Sequence, residues 1–507
     1  MPIKILSATL VGLEAEIIEV ESDSGGGDFG QIAIVGLPDA ATSEAKERVK
    51  SAIRNCHYEF PKRKITVNLA PANLKKHGTA FDLAIAVSIL SLKNKFKIDF
   101  KDCLMVGELS LNGELRAVKG ILAIALRAKS FNIHNLFIPY ENIEEATLIP
   151  GLNIFSIKCL DELIKHLKQI SLIQVSEISP LPRNKEISRE ELVNISTIKG
   201  QEKAKRVLEI AAAGAHNILL IGPPGSGKTI LSKSLSGILP ALNDEEILEV
   251  TNIHSIYGET NVKYSLITER PFRAPHHSAS SASLIGGGTL PKPGEISLAH
   301  RGVLFLDEFP EFNRNVLENL RQPLEEGCIN INRTNGSLKF PCNFMLVAAM
   351  NPCPCGYQGD KKIICHCPET KILNYRRKIS GPIIDRIDLH LTLLRTSYND
   401  LSSEKPEESS EIIRQRVINA RSLQAARYKG LPFSINSDMP NETTRTFCKL
   451  DEDGQKLIRL ACEKFNLSSR SYFRILKIAR TIADLDAATN ISVTHLSEAL
   501  QYRPKIE

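Results

Sequence analysis

The chain contains 507 residues, of which 42% are hydrophobic and 24% are charged, and these proportions disfavour whole-chain disorder, a collagen-like fibre or a membrane protein. Its 64 lysines and arginines against 58 aspartates and glutamates give a net charge of +6, which permits a nucleic-acid partner without requiring one. At roughly 150 residues per domain, the length indicates about three domains.

The amino-terminal run MPIKILSATLVGLEAEIIEVE carries acidic residues and lacks a small-residue cleavage site, so it does not resemble a signal peptide. No stretch reaches the roughly 18 uncharged apolar residues of a membrane span. The odd number of cysteines, 11, favours reduced thiols over a disulfide framework. These features predict a cytoplasmic protein with no membrane partner.

Residues 1–170 mix strand-like apolar runs with helical patterns. The runs IAIVGL, KITVNLA and NLFIPY favour strands, whereas TSEAKERVKSAIRN repeats its apolar residues at helical spacing. We predict a compact α/β or α+β domain here. Residues 171–194 contain two prolines among alternating polar and apolar stretches, a composition typical of an extended linker.

Residues 195–394 open with a helical run, the apolar strand NILLIG, a glycine-rich loop and a second helical stretch. That order is typical of a P-loop α/β domain. Residues 395–507 are mainly helical in pattern. The predicted fold is therefore an α/β P-loop domain with a C-terminal α-helical lid, preceded by a separate α/β domain.

The motif GPPGSGKT is the strongest functional signal, because it matches the whole P-loop pattern between a strand and a helix. Its backbone N–H groups can cradle phosphates, Lys228 can reach the β- and γ-phosphates, and Thr229 can ligate magnesium. The full set comprises Gly222, Pro223, Pro224, Gly225, Ser226, Gly227, Lys228 and Thr229. The motif predicts binding of ATP or GTP together with Mg²⁺.

A second apolar strand, GVLFLDEF, ends in paired carboxylates. In a P-loop enzyme Asp307 would hold the magnesium ion and Glu308 would polarise the attacking water. A third strand, FMLVAAMN, delivers Asn351 to the same end of the sheet, where its amide could orient that water. A strand-end asparagine is by itself more often a turn residue, so this last assignment depends on order and spacing.

These parts, followed by SGPIIDRIDLH, resemble the ordered motifs of an AAA+ ATPase. The resemblance assigns Arg386 to the arginine finger of the magnesium-chelatase and MCM branch. It assigns Arg470 to the sensor-2 arginine of that branch, with Arg474 as a competitor one helical turn further on. An arginine finger completes the site of a neighbouring subunit, so the resemblance implies a ring, usually a homo-hexamer.

Longer stretches resemble the ComM family, also called the YifB or magnesium-chelatase-like family, over nearly the whole chain. They are IVGLPDAATSEAKERVKSAI, ITVNLAPANLKKHGTAFDLAIA, RPFRAPHHSASSASLIGGG, PGEISLAHRGVLFLDEFPEF, LRQPLEEG and AAMNPCPCGYQGD. Members of that family are similar to hexameric helicases that drive branch migration as incoming DNA is integrated during natural transformation. The resemblance implies ATP and Mg²⁺ as cofactors, single-stranded or branched DNA as a partner, and recombination proteins as further partners.

The amino-terminal domain of the family resembles a Lon-protease domain, whose activity needs a serine nucleophile with a lysine near it. Aligned by eye, KKHGTAFD places Ala80 at the serine position and ELRAVKGILAIA places Leu122 at the lysine position. Both catalytic side chains are missing. The resemblance therefore implies a catalytically inactive domain with a scaffold or DNA-contacting role.

Two segments of the P-loop domain resemble parts that face the pore of a ring. The insert at 272–295 contains the adjacent His276 and His277, which make a poor metal pair and for which we favour a structural role. The segment CININRTNGSLKFPCNF is typical of two strands around an Asn-Gly turn. Near its tip, Arg333 and Lys339 could bind DNA phosphates with little sequence preference, the alternative being two solvated hairpin charges.

The segment CPCGYQGDKKIICHC places Cys353, Cys355, Cys365 and Cys367 in two close pairs. Four thiols so arranged could make a tetrahedral zinc site just beyond the strand-end asparagine. The C-x-C spacing is tighter than the usual C-x-x-C, and His366 is a possible substitute ligand. Reduced free thiols and a redox pair remain open as alternatives.

Together these features predict a ring-forming AAA+ ATPase that translocates on DNA and acts as a branch-migration helicase in homologous recombination. The alternative is a chelatase-type motor that remodels a partner protein, because the same ATPase core would serve both. Stimulation of ATP turnover by nucleic acid alone would discriminate between them.

Overall fold

The structure is a computed structural model that describes residues 3–25, 30–94, 96, 98–176, 193–258, 266–288, 292–333, 336–360, 362–402 and 406–504. Most of the predicted linker at 171–194 and the two residues at the tip of the predicted hairpin lie outside these ranges. Chain contacts define two compact units. The first comprises Met1–Lys185, Asp244–Ile267 and Thr334–Lys339, and the second comprises Glu186–Asn243, Thr268–Arg333 and Phe340–Glu507.

The amino-terminal part of the chain alternates strands with helices. In chain order its elements are β1 (Ile3–Val11), β2 (Glu14–Gly25), β3 (Ile32–Val35), α1 (Ala40–Asn55), β4 (Lys64–Ala70), α2 (Asp82–Ser91), β5 (Cys103–Met105), β6 (Glu108–Leu109), β7 (Leu115–Arg116), α3 (Ile121–Ser130), β8 (Asn135–Pro139), α4 (Ile143–Ala146), β9 (Asn153–Ile157) and α5 (Leu160–Leu167).

The middle of the chain contains most of the second unit's strands. Its elements are α6 (Glu202–Gly214), β10 (Ile218–Ile221), α7 (Lys228–Ile238), α8 (Asp244–Tyr257), β11 (Phe272–Arg273), α9 (Ser281–Ile285), β12 (Gly286–Gly287), β13 (Lys292–Pro293), α10 (Glu295–Leu298), β14 (Val303–Leu306), α11 (Arg314–Glu318), α12 (Arg321–Glu326), β15 (Cys328–Arg333), β16 (Gly336–Pro341) and β17 (Met345–Met350).

The remainder is almost entirely helical. Its elements are α13 (Glu369–Arg377), α14 (Gly381–Ile384), β18 (Leu389–Thr392), α15 (Tyr398–Leu401), α16 (Ser410–Arg427), α17 (Asn441–Phe447), α18 (Glu452–Phe465), α19 (Ser469–Leu485) and α20 (Val493–Gln501). No described helix combines the length and the apolarity needed to cross a lipid bilayer.

Among the described residues, the first unit carries a seven-stranded mixed sheet in the order β3-β4-β2-β1-β5-β8-β9. Strand β2 is antiparallel to β1 and β4, whereas the outer strand pairs are parallel. Helix α1 buries Ala45, Val49, Ala52 and Ile53, which are the residues whose helical spacing predicted it. The first unit is therefore an α/β structure with its own hydrophobic core.

Helix α8 belongs to the first unit, although its sequence lies between two elements of the P-loop segment. Ile256 is part of a buried cluster with residues of α3. The hydroxyl of Ser255 accepts a hydrogen bond from the Gly120 N–H at 3.2 Å and donates one to Glu145 Oε2 at 2.8 Å. The compact units thus do not coincide with contiguous stretches of sequence, and the predicted domain boundaries stay predictions.

In the part of the chain that the structure describes, the second unit carries a five-stranded sheet in the order β11-β14-β17-β10-β18, and every neighbouring pair is parallel. Strands β14 and β17 are buried along their whole length. Continuous apolar runs of this kind are typical of parallel strands covered on both faces. Because all five strands run the same way, the residues that follow β10, β14 and β17 share one edge of the sheet.

The helices after β18 share a core with this sheet. A buried ion cluster stabilises them: Asp484 bonds to Arg480 at 3.1 Å and also pairs with Arg427, while Asn436 donates to Asp484 at 2.9 Å. Because each buried charge has a partner of opposite sign, the cluster avoids the cost of an unpaired buried ion.

Candidate active site

The loop between β10 and α7 is shaped by its glycines. Gly225 and Gly227 adopt φ angles of +75° and +86°, which favour residues without a Cβ. At Gly222 a Cβ would lie 2.8 Å from the Ser226 Oγ and 2.9 Å from Leu393. The loop leads directly into the first turn of α7, whose free backbone N–H groups and helix dipole form a ready site for phosphate.

Lys228 is the first residue of α7, and its ammonium group turns back over the loop. It donates to the carbonyls of Gly222 at 2.7 Å and Pro223 at 3.1 Å, and to the Asn351 Oδ1 at 3.2 Å. Burial lowers the pKa of Lys228, while the nearby carboxylates of Asp307 and Glu308 oppose that shift. A desolvated ammonium surrounded by neutral acceptors gains strongly from an anionic phosphate.

Asp307 follows β14 and faces the P-loop threonine. The Thr229 hydroxyl donates to Asp307 Oδ2 at 3.0 Å, and Asp307 Oδ1 accepts from the Glu308 N–H at 2.9 Å. A hydroxyl and a carboxylate oxygen are the kind of ligands that Mg²⁺ takes beside nucleotide phosphates. The donor set therefore fits a magnesium ion held between these two side chains.

Glu308 has a left-handed backbone, with φ at +52°, which is an uncommon conformation for a residue with a side chain. Its Oε2 lies 3.1 Å from the Nδ1 of His277. The ring of His276 lies beside that of His277 at a centroid distance of 4.1 Å and is tilted from it by 34°. The sequence favoured a structural role for both histidines, and the glycine- and proline-rich insert that carries them gave no signal for this contact.

Arg386 and Arg470 meet at one carboxylate that the sequence did not single out. Both bond to the Oε1 of Glu325 in α12, Arg470 at 3.3 Å. Arg386 is only 9% exposed, whereas Arg470 is 53% exposed. Among the described residues, the Nε of Arg386 is buried without a hydrogen-bond partner, and neither arginine bonds to the acidic residues that follow β14.

Arg474 lies one turn beyond Arg470 on α19 and is used inside the fold. It donates to the backbone carbonyls of Ile387, at 3.1 Å, and Asp385, and its Nε lies 3.2 Å from Asp388 Oδ1. A buried arginine satisfied by two carbonyls and a carboxylate has a structural role. Of the two arginines, Arg470 is the one whose side chain is available for a ligand.

The four cysteines after β17 cluster in the structure. The Cys353 Sγ lies 3.4 Å from the Cys355 Sγ and 3.6 Å from the Cys365 Sγ, and the latter two sulfurs are 3.5 Å apart. All four Sγ atoms lie within 4.8 Å of one another, and His366 is not part of this group as described. The backbone N–H of Tyr357 lowers the pKa of the Cys355 thiol, whereas the pKa values of Cys365 and Cys367 in the same cluster are raised.

The predicted hairpin is present as the two-stranded sheet β15-β16. The backbone of Arg333 ends β15, but its side chain lies outside the described part of the chain. Lys339 lies on β16 and is exposed. Whether either residue contacts DNA stays a prediction.

Three family models match most of the chain. Residues 18–142 match the model described as subunit ChlI of Mg-chelatase. Residues 194–401 match magnesium chelatase, subunit ChlI, and residues 407–503 match its C-terminal part. The second match covers the P-loop, both strand-end acids, the cysteine cluster and Arg386.

Similar curated proteins fall into two groups. The chain is 40% identical to the competence protein ComM of Haemophilus influenzae, with 99% of this chain and 97% of that protein covered. It is 41% identical to YifB of Escherichia coli, with 97% and 95% covered. Identity to the magnesium-chelatase 67 kDa subunit of Heliobacterium mobile is 24%, over 42% of this chain and 34% of that protein.

Proposed function

The chain belongs to the ComM and YifB family of magnesium-chelatase-like AAA+ proteins, and on that premise we propose that it is a ring-forming ATPase that translocates on DNA. The observation that carries the ATPase part is the direct bonding of Lys228 to Asn351 and of Thr229 to Asp307 at one sheet edge. These are contacts among the four positions from which P-loop enzymes handle the γ-phosphate and its metal.

In the proposed reaction, Lys228 exchanges its carbonyl partners for phosphate oxygens and neutralises their charge. Thr229 and Asp307 hold the magnesium ion, which when bound neutralises charge on the β- and γ-phosphates. Glu308 polarises the attacking water and accepts its proton, and the Asn351 amide orients that water. The contact with His277 gives the Glu308 carboxylate a fixed direction before nucleotide arrives.

The proposed ring is a homo-hexamer in which Arg386 acts across the subunit boundary. The charge of an arginine finger is worth most opposite a developing phosphate charge. Arg386 bonds to a half-exposed carboxylate that a neighbour's nucleotide can replace. Arg470, which is exposed on α19, is proposed to sense the γ-phosphate.

The first unit is proposed to be Lon-protease-like in fold and catalytically inactive. Leu122, at the position where a Lon-like enzyme has its lysine, is fully buried in α3. Ala80, at the serine position, offers no nucleophile, and its carbonyl accepts from the Gly107 N–H at 3.0 Å. The unit is therefore proposed to act as a scaffold or to contact DNA.

The DNA part of the proposal rests on family membership and on the hairpin β15-β16. Arg333 and Lys339 are proposed to bind backbone phosphates in the pore, which gives salt-dependent binding with little sequence preference. The similarity to the competence protein of H. influenzae supports a role in natural transformation, and the motor is proposed to act in the cytoplasm. There it would drive branch migration with recombination proteins during natural transformation.

The cysteine cluster is proposed to hold a structural zinc ion. Four thiols gathered within 4.8 Å suit the tetrahedral geometry that zinc adopts with cysteine ligands. Zinc in such a site stabilises a loop and, with four cysteine ligands, has no open position for a substrate.

The test is the rate of ATP hydrolysis with and without single-stranded and forked DNA, at two salt concentrations. DNA should stimulate turnover more at low salt, and Lys228→Ala should abolish both basal and stimulated turnover. Lys339→Ala should weaken the stimulation, whereas the control Lys456→Ala, an exposed lysine on α18, should not.

Two outcomes contradict the proposal in different ways. Absence of ATP hydrolysis under every condition would overturn the ATPase itself. Hydrolysis that DNA leaves unchanged at both salt concentrations would overturn the DNA motor and favour the alternative, a chelatase-type motor that remodels a partner protein. That alternative draws support from the distant similarity to magnesium-chelatase subunits.

A further inference from the structure

The loop between the two cysteine pairs contacts the P-loop. Gly356 has φ at +86°, and a Cβ built there would lie 2.7 Å from the Cδ of Pro224 and 3.8 Å from the Cγ of Asn351. The Gly356 N–H also donates to the carbonyl of Cys353 at 2.9 Å. A cysteine-bounded turn therefore presses its backbone against the proline of the nucleotide loop, at a distance that only glycine allows.

Both ends of the cysteine segment are also tied to Asn351. Cys353 follows Asn351 after a single proline, and the segment ends where α13 begins. Helix α13 carries the buried Tyr375, whose hydroxyl oxygen accepts a hydrogen bond from the backbone of Asn351. A change in the spacing of the cysteines would therefore act at both ends of the segment, on Asn351 and on α13.

The sulfur positions fit a metal better than a disulfide. Three Sγ pairs are 3.4 to 3.6 Å apart, close to the roughly 3.8 Å edge of a tetrahedron with Zn–S bonds of about 2.3 Å. A disulfide would need a sulfur separation of about 2.0 Å. Without a metal, only weak thiol hydrogen bonds hold these side chains together.

We propose that zinc bound by Cys353, Cys355, Cys365 and Cys367 braces the nucleotide site, by holding Gly356 against Pro224 and Asn351 beside Lys228. The inference rests on the proposed ATPase function and adds a second role to the metal. Zinc is needed for a correctly shaped phosphate loop as well as for the local fold. Nucleotide affinity therefore depends on zinc even though the ion touches no phosphate.

The first experiment measures zinc content and nucleotide affinity on the same samples. Zinc is released by a thiol-modifying reagent and quantified with a metallochromic dye, and affinity is measured by titration with a fluorescent ADP analogue. The native protein should hold one zinc per chain. Cys365→Ser should lose the zinc and bind nucleotide about tenfold more weakly, whereas Cys462→Ser, which alters a thiol on α18, should change neither.

The second experiment tests the contact of Gly356 with Pro224 separately from zinc binding. Gly356→Ala and Gly359→Ala both place a Cβ in a left-handed conformation within the same loop, but at Gly359 the added atom meets nothing within 4 Å. Both variants should keep their zinc. Only Gly356→Ala should lose nucleotide affinity, because only its Cβ pushes on Pro224.

The outcomes distinguish this inference from the proposed function. Native protein that binds zinc but no nucleotide would overturn the ATPase proposal. Native protein without zinc, or Cys365→Ser with native affinity, would overturn the zinc brace alone. Equal losses of affinity in the two glycine variants would also overturn it, since strain in the loop would then explain both.

Discussion

The nucleotide edge of the five-stranded sheet and the pair formed by Arg386 and Arg470 are built in opposite ways. At the sheet edge, the side chains with proposed catalytic roles bond to one another across strand ends, as in the contact of Lys228 with Asn351 at 3.2 Å. The two arginines instead bond to Glu325, a carboxylate on α12 with no part in the proposed reaction. Within a single chain, the side chains of the sheet edge already bond to one another, whereas the two arginines bond to a carboxylate outside the proposed reaction.

In the two regions, the charge that opposes the ionised side chains comes from different sources. The sheet edge brings a lysine and two carboxylates together within one chain. The arginines bond to a carboxylate of their own chain. They would leave it only for another negative group, such as a nucleotide bound to a neighbouring subunit. An arginine that must leave its carboxylate before it can bind a phosphate suits a hydrolysis step that occurs only in the assembled ring.

The largest effect is expected from Arg386→Ala, because an arginine finger contributes about 10³-fold or more to turnover. The turnover of ATP by the assembled protein should fall by about that factor with little change in nucleotide affinity. Mixing this variant with Glu308→Gln tests whether Arg386 acts across the subunit boundary. In randomly mixed rings a site is complete when one subunit supplies Glu308 and the adjacent subunit supplies Arg386, so about a quarter of native turnover should return. A finger that acts within its own chain would give no recovery.

Glu308→Gln alone should lower turnover by about 10²-fold, since the amide keeps the shape but cannot accept the proton of the attacking water. Binding of a fluorescent ATP analogue should stay close to native, because Glu308 touches neither the lysine nor the loop. Turnover at the native rate would show that the sheet edge is not the catalytic centre.

Asn351→Ala should lower turnover about tenfold, the worth of one hydrogen bond to a charged group. The native contact with Lys228 is replaced by water, so the lysine should be less well positioned. Steady-state hydrolysis measures the effect. The matched control is Asn419→Ala on the exposed face of α16, where the native rate is expected.

The smallest effect is expected from Glu325→Gln. An ion pair to a carboxylate that is 47% exposed is worth at most about 1 kcal/mol, so basal turnover without DNA should rise by no more than about fivefold as Arg386 is released. Glu326→Gln, at the next position, should leave the rate unchanged. A fall like that of Arg386→Ala would mean that Glu325 positions the arginine for catalysis.

The sheet edge was largely predictable from sequence, because Asp307 and Asn351 directly follow apolar strands, the P-loop motif places Lys228 after a third, and parallel strands end at a common edge. The motif resemblance to the family was also correct. The pairing of Arg386 with Glu325 was not predictable, since 61 positions separate them and only tertiary packing brings them together. The choice between Arg470 and Arg474 likewise needed burial, because both lie on one helix a turn apart.

The assignment of α8 shows a second limit. A hydrophobic pattern in sequence carries no information about which core a helix joins. His277 illustrates the same limit for a polar residue: its neighbour in sequence is His276, whereas its charged neighbour in space is Glu308.

Helix α8 has a consequence for dissecting the protein. The apolar side chains of Leu248, Ile256 and Leu266 cover part of the core around α3, although they follow the phosphate loop in sequence. A fragment that stops at residue 170 lacks this cover and leaves an apolar face open to water, which favours aggregation. Truncation at residue 170 would therefore destabilise the amino-terminal unit, because part of that unit lies further along the sequence.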